Sequence, residues 1–106
     1  MSPNAAISEA VKRIVEGFNP QRVILFGSRA RGDARERSDI DLLVLVDDGV
    51  DVWSVTTAIY GKTRGINTPI DVVVMNIGYF EDYKDLIGTV ARPASREGRV
   101  LYQRAA

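Results

Sequence analysis

The residues of this chain that could do chemistry are few, and most of them are carboxylates. Asp39 and Asp41 open a strand-like run that continues as Leu42-Leu43-Val44-Leu45-Val46, the longest uninterrupted apolar stretch in the sequence. Side chains alternate along a strand, so the two acids share a face, with Cα atoms roughly 7 Å apart. Asp71 takes the equivalent place in a second apolar run, Ile70 to Met75, two residues after Pro69. Three carboxylates gathered at one end of a sheet repel one another and resist ionisation. A divalent cation relieves that conflict, and carboxylate oxygens are ligands that magnesium accepts. The plainer alternative is that each aspartate only caps a turn, and Asp-x-Asp is a common pair by itself.

Gly27-Ser28 adds a second kind of chemistry. A glycine at the end of a strand lets the backbone approach a ligand closely, because no Cβ intervenes. If a helix begins at Ser28, its free N–H groups form an anion site to which the serine hydroxyl adds a donor. The alternative is a serine that merely caps the helix after a glycine turn. The pair is not a Walker A loop, whose spacing and lysine are missing. A phosphate cradle beside a carboxylate cluster makes up the two halves of a metal–nucleotide site.

The elements that must position these residues alternate between helix and strand. Ile7, Val11, Ile14, Val15 and Phe18 recur at helical spacing, and Gly17 followed by Asn19-Pro20 marks the stop. Arg22 to Phe26 is a short strand, ending at Gly27-Ser28. Asp39 to Val46 is apolar on both faces beyond its two acids, which places it centrally in a sheet. Val52 to Arg64 is expected to be helical, with Val52, Val55, Ala58 and Ile59 on one side. Ile70 to Met75 is a third strand, Tyr79 to Ile87 a further helix, and the basic tail ends in a short strand at Val100-Leu101-Tyr102. Trp53, Phe18, Phe26 and Phe80 are expected in the core, and Tyr79, Tyr83 and Tyr102 in packing roles. The pattern is an α/β domain with helices covering a small sheet, a single domain over residues 1–106.

Composition narrows the field. The chain has 106 residues, and its 14 Lys plus Arg balance 14 Asp plus Glu. Zero net charge argues against a nucleic-acid coat. No apolar run approaches the roughly 20 residues of a membrane span, and the start Met1-Ser2-Pro3-Asn4 lacks the features of a signal peptide, so a cytoplasmic location is expected. There is no cysteine and no histidine, which excludes disulfide scaffolds, Cys/His zinc sites, thiol nucleophiles and imidazole bases. Any metal is held by oxygen, which favours magnesium, manganese or calcium. So small a domain has little room for a catalytic centre and a large substrate cleft together; an enzyme of this size is expected to borrow part of its substrate site.

The run Gly27-Ser28-Arg29-Ala30-Arg31-Gly32 through Ser38-Asp39-Ile40-Asp41-Leu42-Leu43-Val44 resembles the nucleotidyltransferase superfamily that includes DNA polymerase beta. The match is to a Gly-Ser, ten residues, Asp-x-Asp signature, the ten being Arg29 to Ser38, and Asp71 matches the family's third carboxylate. In size and in its ending, Arg96-Glu97-Gly98-Arg99-Val100-Leu101-Tyr102, the chain is similar to the minimal nucleotidyltransferases, antitoxin partners of HEPN-domain ribonuclease toxins. The resemblance implies a small mixed sheet of the polymerase beta palm type. It implies that Asp39 and Asp41 hold one or two Mg2+ ions bridging the triphosphate of ATP, and that Asp71 completes the second metal site or acts as base. Gly27 and Ser28 would grip the β- and γ-phosphates. Arg29 and Arg31 are candidates for contact with the nucleotide or for structural pairing, whereas Arg35 and Arg37 are expected on a solvated face.

The function so implied is magnesium-dependent transfer of AMP from ATP to a tyrosine of a cognate HEPN toxin, silencing its ribonuclease within a hetero-oligomer. One alternative is a binding module that blocks the toxin by occlusion alone; the intact set of Gly27, Ser28, Asp39, Asp41 and Asp71 argues against it. Another is adenylylation of a small molecule such as an antibiotic, for which the chain lacks an acceptor domain. Neither direct nucleic-acid binding nor a membrane is expected.

Overall fold

In the computed structural model, which describes residues 1–105, the apolar runs become four strands and the amphipathic runs become helices packed on them. The order is α1 (Pro3–Phe18), β1 (Arg22–Phe26), α2 (Ser28–Arg31), β2 (Ile40–Val46), α3 (Val52–Lys62), β3 (Ile70–Asn76), α4 (Ile77–Tyr83), α5 (Ala91–Glu97) and β4 (Arg99–Gln103). The sheet order is β3-β2-β1-β4. β1 runs antiparallel to β2 and β4, and β2 runs parallel to β3, so the sheet is mixed. β2 is central, and its residues Leu42 to Leu45 are completely buried, as a strand apolar on both faces requires.

Alternation along the strands divides the core in two. Val23, Leu25, Leu42, Val44, Val72 and Val74 face α1 and α3. The α1 stripe read from the sequence packs here, joined by Ala6 and Ala10, whose small side chains let the helix lie close to the sheet. The helix runs through Gly17 to Phe18 and stops at Asn19, which takes a left-handed conformation (φ 45°) before Pro20. On the other face Ile24, Leu43 and Leu45 pack against Phe80 of α4 and Ala91 and Ala94 of α5. That face carries the odd-numbered positions of β2 and β3, and hence Asp41 and Asp71.

Four expectations are corrected. Trp53 is not in the core: it is 79% exposed, on the outward side of the first turn of α3. Ala58, on the same helix, is also exposed. The helix expected over Tyr79–Ile87 lies at Ile77–Tyr83, and the supposed basic tail holds another helix, α5. Pro93 does not break α5 because it falls in the first turn, where a missing N–H leaves no bond unmade. Tyr79 and Tyr83 pack mainly on each other, ring centroids 4.4 Å apart, and remain partly in solvent.

Gly98 closes the passage from α5 into β4. A Cβ there would overlap the Ala94 carbonyl and the Ile24 side chain. Gly98→Ala is therefore expected to destabilise the fold by about 1–3 kcal/mol through overpacking, read as a lower urea midpoint; an unchanged midpoint would show that this contact yields freely.

Candidate active site

The site is assembled by strand register at one end of the sheet. In the ladders Phe26 stands opposite Asp41, and Asp41 stands opposite Asp71. The last residue of β1 and the carboxylates of β2 and β3 thus form a row across three strands. Asp39 lies two residues before Asp41, and the backbone there is fastened to β3 by Ile40 N–H donating to the Pro69 carbonyl (2.9 Å). Asp41 is half-buried, while Asp39 and Asp71 are exposed. The carboxylates therefore sit on an open shelf; a cavity of about 610 Å³ lies beside the loops leading into β2 and β3 and is lined by Glu36, Arg37 and Asn67 among others.

The electrostatics follow from the row. Burial pushes the Asp41 carboxyl above its ordinary value, and the charges of Asp71 and then Asp39 push it the same way, against the pull of Arg31. Asp71 is raised as well, first by desolvation and then by the neighbouring Asp39 carboxylate. Among the described residues no three acidic side chains stand close enough to enclose an ion by themselves. Magnesium fits this donor set, because it is commonly bound through one or two carboxylates with phosphate and water completing the shell.

Gly27 is bound to this arrangement by its conformation. Its φ of 73° and ψ of −158° belong to a region that only glycine occupies readily. The space a Cβ would need is already filled by Asp41 Oδ2. The glycine therefore serves first to let β1 end against the Asp41 carboxylate. Gly27 is also the N-cap of α2, with no side-chain cap bond. Ser28 is thus the first residue of the helix rather than its cap, and its hydroxyl is not used to close the turn. The Gly27 carbonyl accepts from the N–H groups of Ala30 and Arg31, both at 3.1 Å. The N–H groups of Ser28 and Arg29, ahead of that turn, are those left for a ligand. With only four residues, α2 offers these donors rather than a substantial dipole.

Arg29 and Arg31 have structural partners. Arg29 donates through Nε (3.1 Å) and Nη2 (2.6 Å) to the Ser38 carbonyl, the residue before Asp39. It clamps the loop between the Gly-Ser turn and the aspartates, a role that spacing alone does not reveal. Within that loop the Ser38 hydroxyl accepts from Arg35 N–H (2.8 Å). Arg31 pairs with Asp33 (3.3 Å) and Glu97 of α5 (3.6 Å), and its charge also reaches Asp41. Glu97 is the member of this neighbourhood that the motif does not contain, while Ser38, which the motif contains, gains a role as the carbonyl that Arg29 holds. Arg35 and Arg37 are exposed, as expected.

A Gly-Ser turn abuts an Asp-x-Asp strand, with a third aspartate in register on the next strand. The chain belongs to the family described as polymerase beta, nucleotidyltransferase, whose model matches residues 9–105. It is 34% identical over 105 residues to the putative protein adenylyltransferase MJ0604 of Methanocaldococcus jannaschii, covering 96% of this chain and all of that protein. The fold is shared with a putative nucleotidyltransferase of Sulfolobus solfataricus (TM-score 0.65, 24% identity, 94% of this chain and 79% of that one). It is shared also with a toxin–antitoxin protein crystallised with AMP-PNP (TM-score 0.60, 19% identity, 90% and 72%).

Since Asp41 and Asp71 are raised above their ordinary 3.8, the folded chain holds more protons than the unfolded one from that pH up to the raised values. Stability of the metal-free protein therefore falls as pH rises through that window and levels off above it. Asp41→Asn should flatten the fall and raise the melting temperature at neutral pH without metal. A variant with the wild-type pH profile would show that the carboxylates do not repel.

Proposed function

We propose that this nucleotidyltransferase transfers AMP from ATP to a hydroxyl of a partner protein, with Asp39, Asp41 and Asp71 as catalytic and metal-holding residues and Gly27 and Ser28 binding the triphosphate. The observation that carries this reading is the row formed by the Gly27 turn, Asp41 and Asp71 at one end of the sheet. It sets phosphate donors on one side of Asp41 and a carboxylate with a raised pKa on the other. In-line displacement needs the leaving and attacking oxygens on opposite sides of the phosphorus. The triphosphate then lies toward β1, and the acceptor approaches from β3.

In this account the Ser28 hydroxyl and the Ser28 and Arg29 N–H groups donate to the terminal phosphates. Gly27 leaves Asp41 room to face them. Arg29 holds Ser38, and through it the direction of Asp39. The acceptor oxygen attacks the α-phosphorus as its proton passes to the Asp71 carboxylate, which stands on the acceptor side of the row. The bond from the α-phosphorus to its bridging oxygen breaks, and pyrophosphate leaves with the electron pair. Magnesium, when bound at Asp39 and Asp41, would neutralise phosphate charge and orient the chain. None of these roles calls for histidine or cysteine.

For the acceptor, we infer a tyrosine of a HEPN-type toxin, with this chain as its antitoxin in a hetero-oligomer in the cytoplasm. Support comes from the full-length likeness to a protein named as a protein adenylyltransferase, the shared fold with a toxin–antitoxin protein, and the open shelf, which leaves the acceptor side to be supplied by a partner.

Purified protein with ATP and magnesium should add the mass of AMP to the cognate toxin, and Asp39→Asn with Asp41→Asn should abolish the addition. If that double variant neutralises the toxin as well as wild type, occlusion rather than transfer is the mechanism. Ser28→Ala should weaken triphosphate binding by about 1.5–3 kcal/mol, one hydrogen bond to a charged group, measured by calorimetry; an unchanged affinity would remove the serine from the phosphate site.

A further inference from the structure

The outer edge of β3 is a second site of interest, distinct from the carboxylate shelf. β3 ends the sheet, so one side of its backbone has no neighbouring strand. Val72 N–H donates to the Tyr60 hydroxyl (3.0 Å), which shows that this N–H points outward and that Tyr60 covers the edge there. Alternation turns the N–H groups of Val74 and Asn76 to the same side. Beside them runs an apolar groove of about 300 Å³, lined by Val52, Val73, Val74, Met75, Asn76 and Tyr79. Trp53, next to Val52 on α3, is 79% exposed. Exposed aromatic anchors beside an apolar groove are typical of protein-binding surfaces.

Charge around the groove selects the occupant. The two segments that build it, residues 47–61 and 70–83, contain six acids (Asp47, Asp48, Asp51, Asp71, Glu81 and Asp82) and no lysine or arginine. Asp47 is paired with Arg104 and Glu81 with Lys84. Asp71 belongs to the carboxylate shelf; among the described residues Asp48, Asp51 and Asp82 have no cationic partner. A second copy of this chain pairing β3 to β3 would set these acids against their own counterparts, which disfavours it. Nucleic acid is repelled for the same reason. We propose that the β3 edge binds an extended segment of a partner polypeptide as an added strand, with apolar side chains in the groove and lysine or arginine side chains against the acidic rim. Main-chain bonds to Val74 and Asn76 supply affinity, and the alternating side chains supply selectivity. The pairing stops at Val72, where Tyr60 occupies the edge. This surface is independent of the transfer chemistry, so it can fail while the proposed function holds.

An eight-residue peptide alternating valine and lysine is the probe, followed by the fluorescence of Trp53, the chain's one tryptophan. It should bind the wild-type protein at least tenfold more tightly than an alternating valine–glutamate peptide or a valine–lysine peptide N-methylated at alternate residues. Met75→Lys and Tyr79→Ala should each weaken binding tenfold or more while keeping magnesium–ATP affinity, which confirms that the variants fold. Equal binding of the N-methylated peptide, unchanged binding by both variants, or no binding of the valine–lysine peptide would each overturn the proposal. So would a wild-type dimer in sedimentation that Met75→Lys dissociates, since the edge would then serve a second copy.

Discussion

The register of β2 is the constraint on which the rest depends. It sets Asp41 opposite Phe26 on one side and opposite Asp71 on the other. A slip of one residue would turn both aspartates into the face packed by α1 and α3 and expose the apolar set. The cost of such a slip is large, because Leu42 to Leu45 are fully buried on two faces. The hydrophobic sheet thus fixes the position of the charged row, and the repulsion within the row is carried by a scaffold that has no cheaper register. Gly27 is the local counterpart of this constraint: its conformation and the Asp41 carboxylate occupy space that no other residue could share.

Much of this was legible in the sequence for definite reasons. Alternation put Asp39 and Asp41 on one face, and a run apolar on both faces made β2 central. Proline and glycine punctuation set the end of α1 to within a residue. Other features depend on contacts that no local pattern announces. Ser28 looks like a cap in sequence, yet Gly27 is the cap and the hydroxyl is left over. For Arg29 the sequence leaves phosphate contact and structural pairing equally open, and its guanidinium grips the Ser38 carbonyl. Trp53 was expected inside because its ring is large and apolar, but the α3 stripe at Val52, Val55 and Ile59 turns it outward. α5 was hidden because arginine and proline suggest a tail, although two buried alanines, Ala91 and Ala94, give it an apolar side small enough to lie on β1.

The neutral total charge conceals a layout with direction. Arginines from Arg29 to Arg37 precede the aspartates in sequence, and two of them are spent in holding the loop and in pairing with Asp33 and Glu97. Further acids follow β2 in the turn into α3 (Asp47, Asp48 and Asp51) and lie on α4 (Glu81 and Asp82). The carboxylate shelf lies at the start of β2 and β3 and the groove beside the second half of β3, and both are open.

The central claim is that the aspartate row is built to receive a cation together with a triphosphate. Calorimetric titration of ATP into the protein, with magnesium and then with a chelator in its place, tests this most directly. The account predicts binding with magnesium and its loss in the chelator, because three unshielded carboxylates face the phosphates. Equal affinity in both conditions would contradict it.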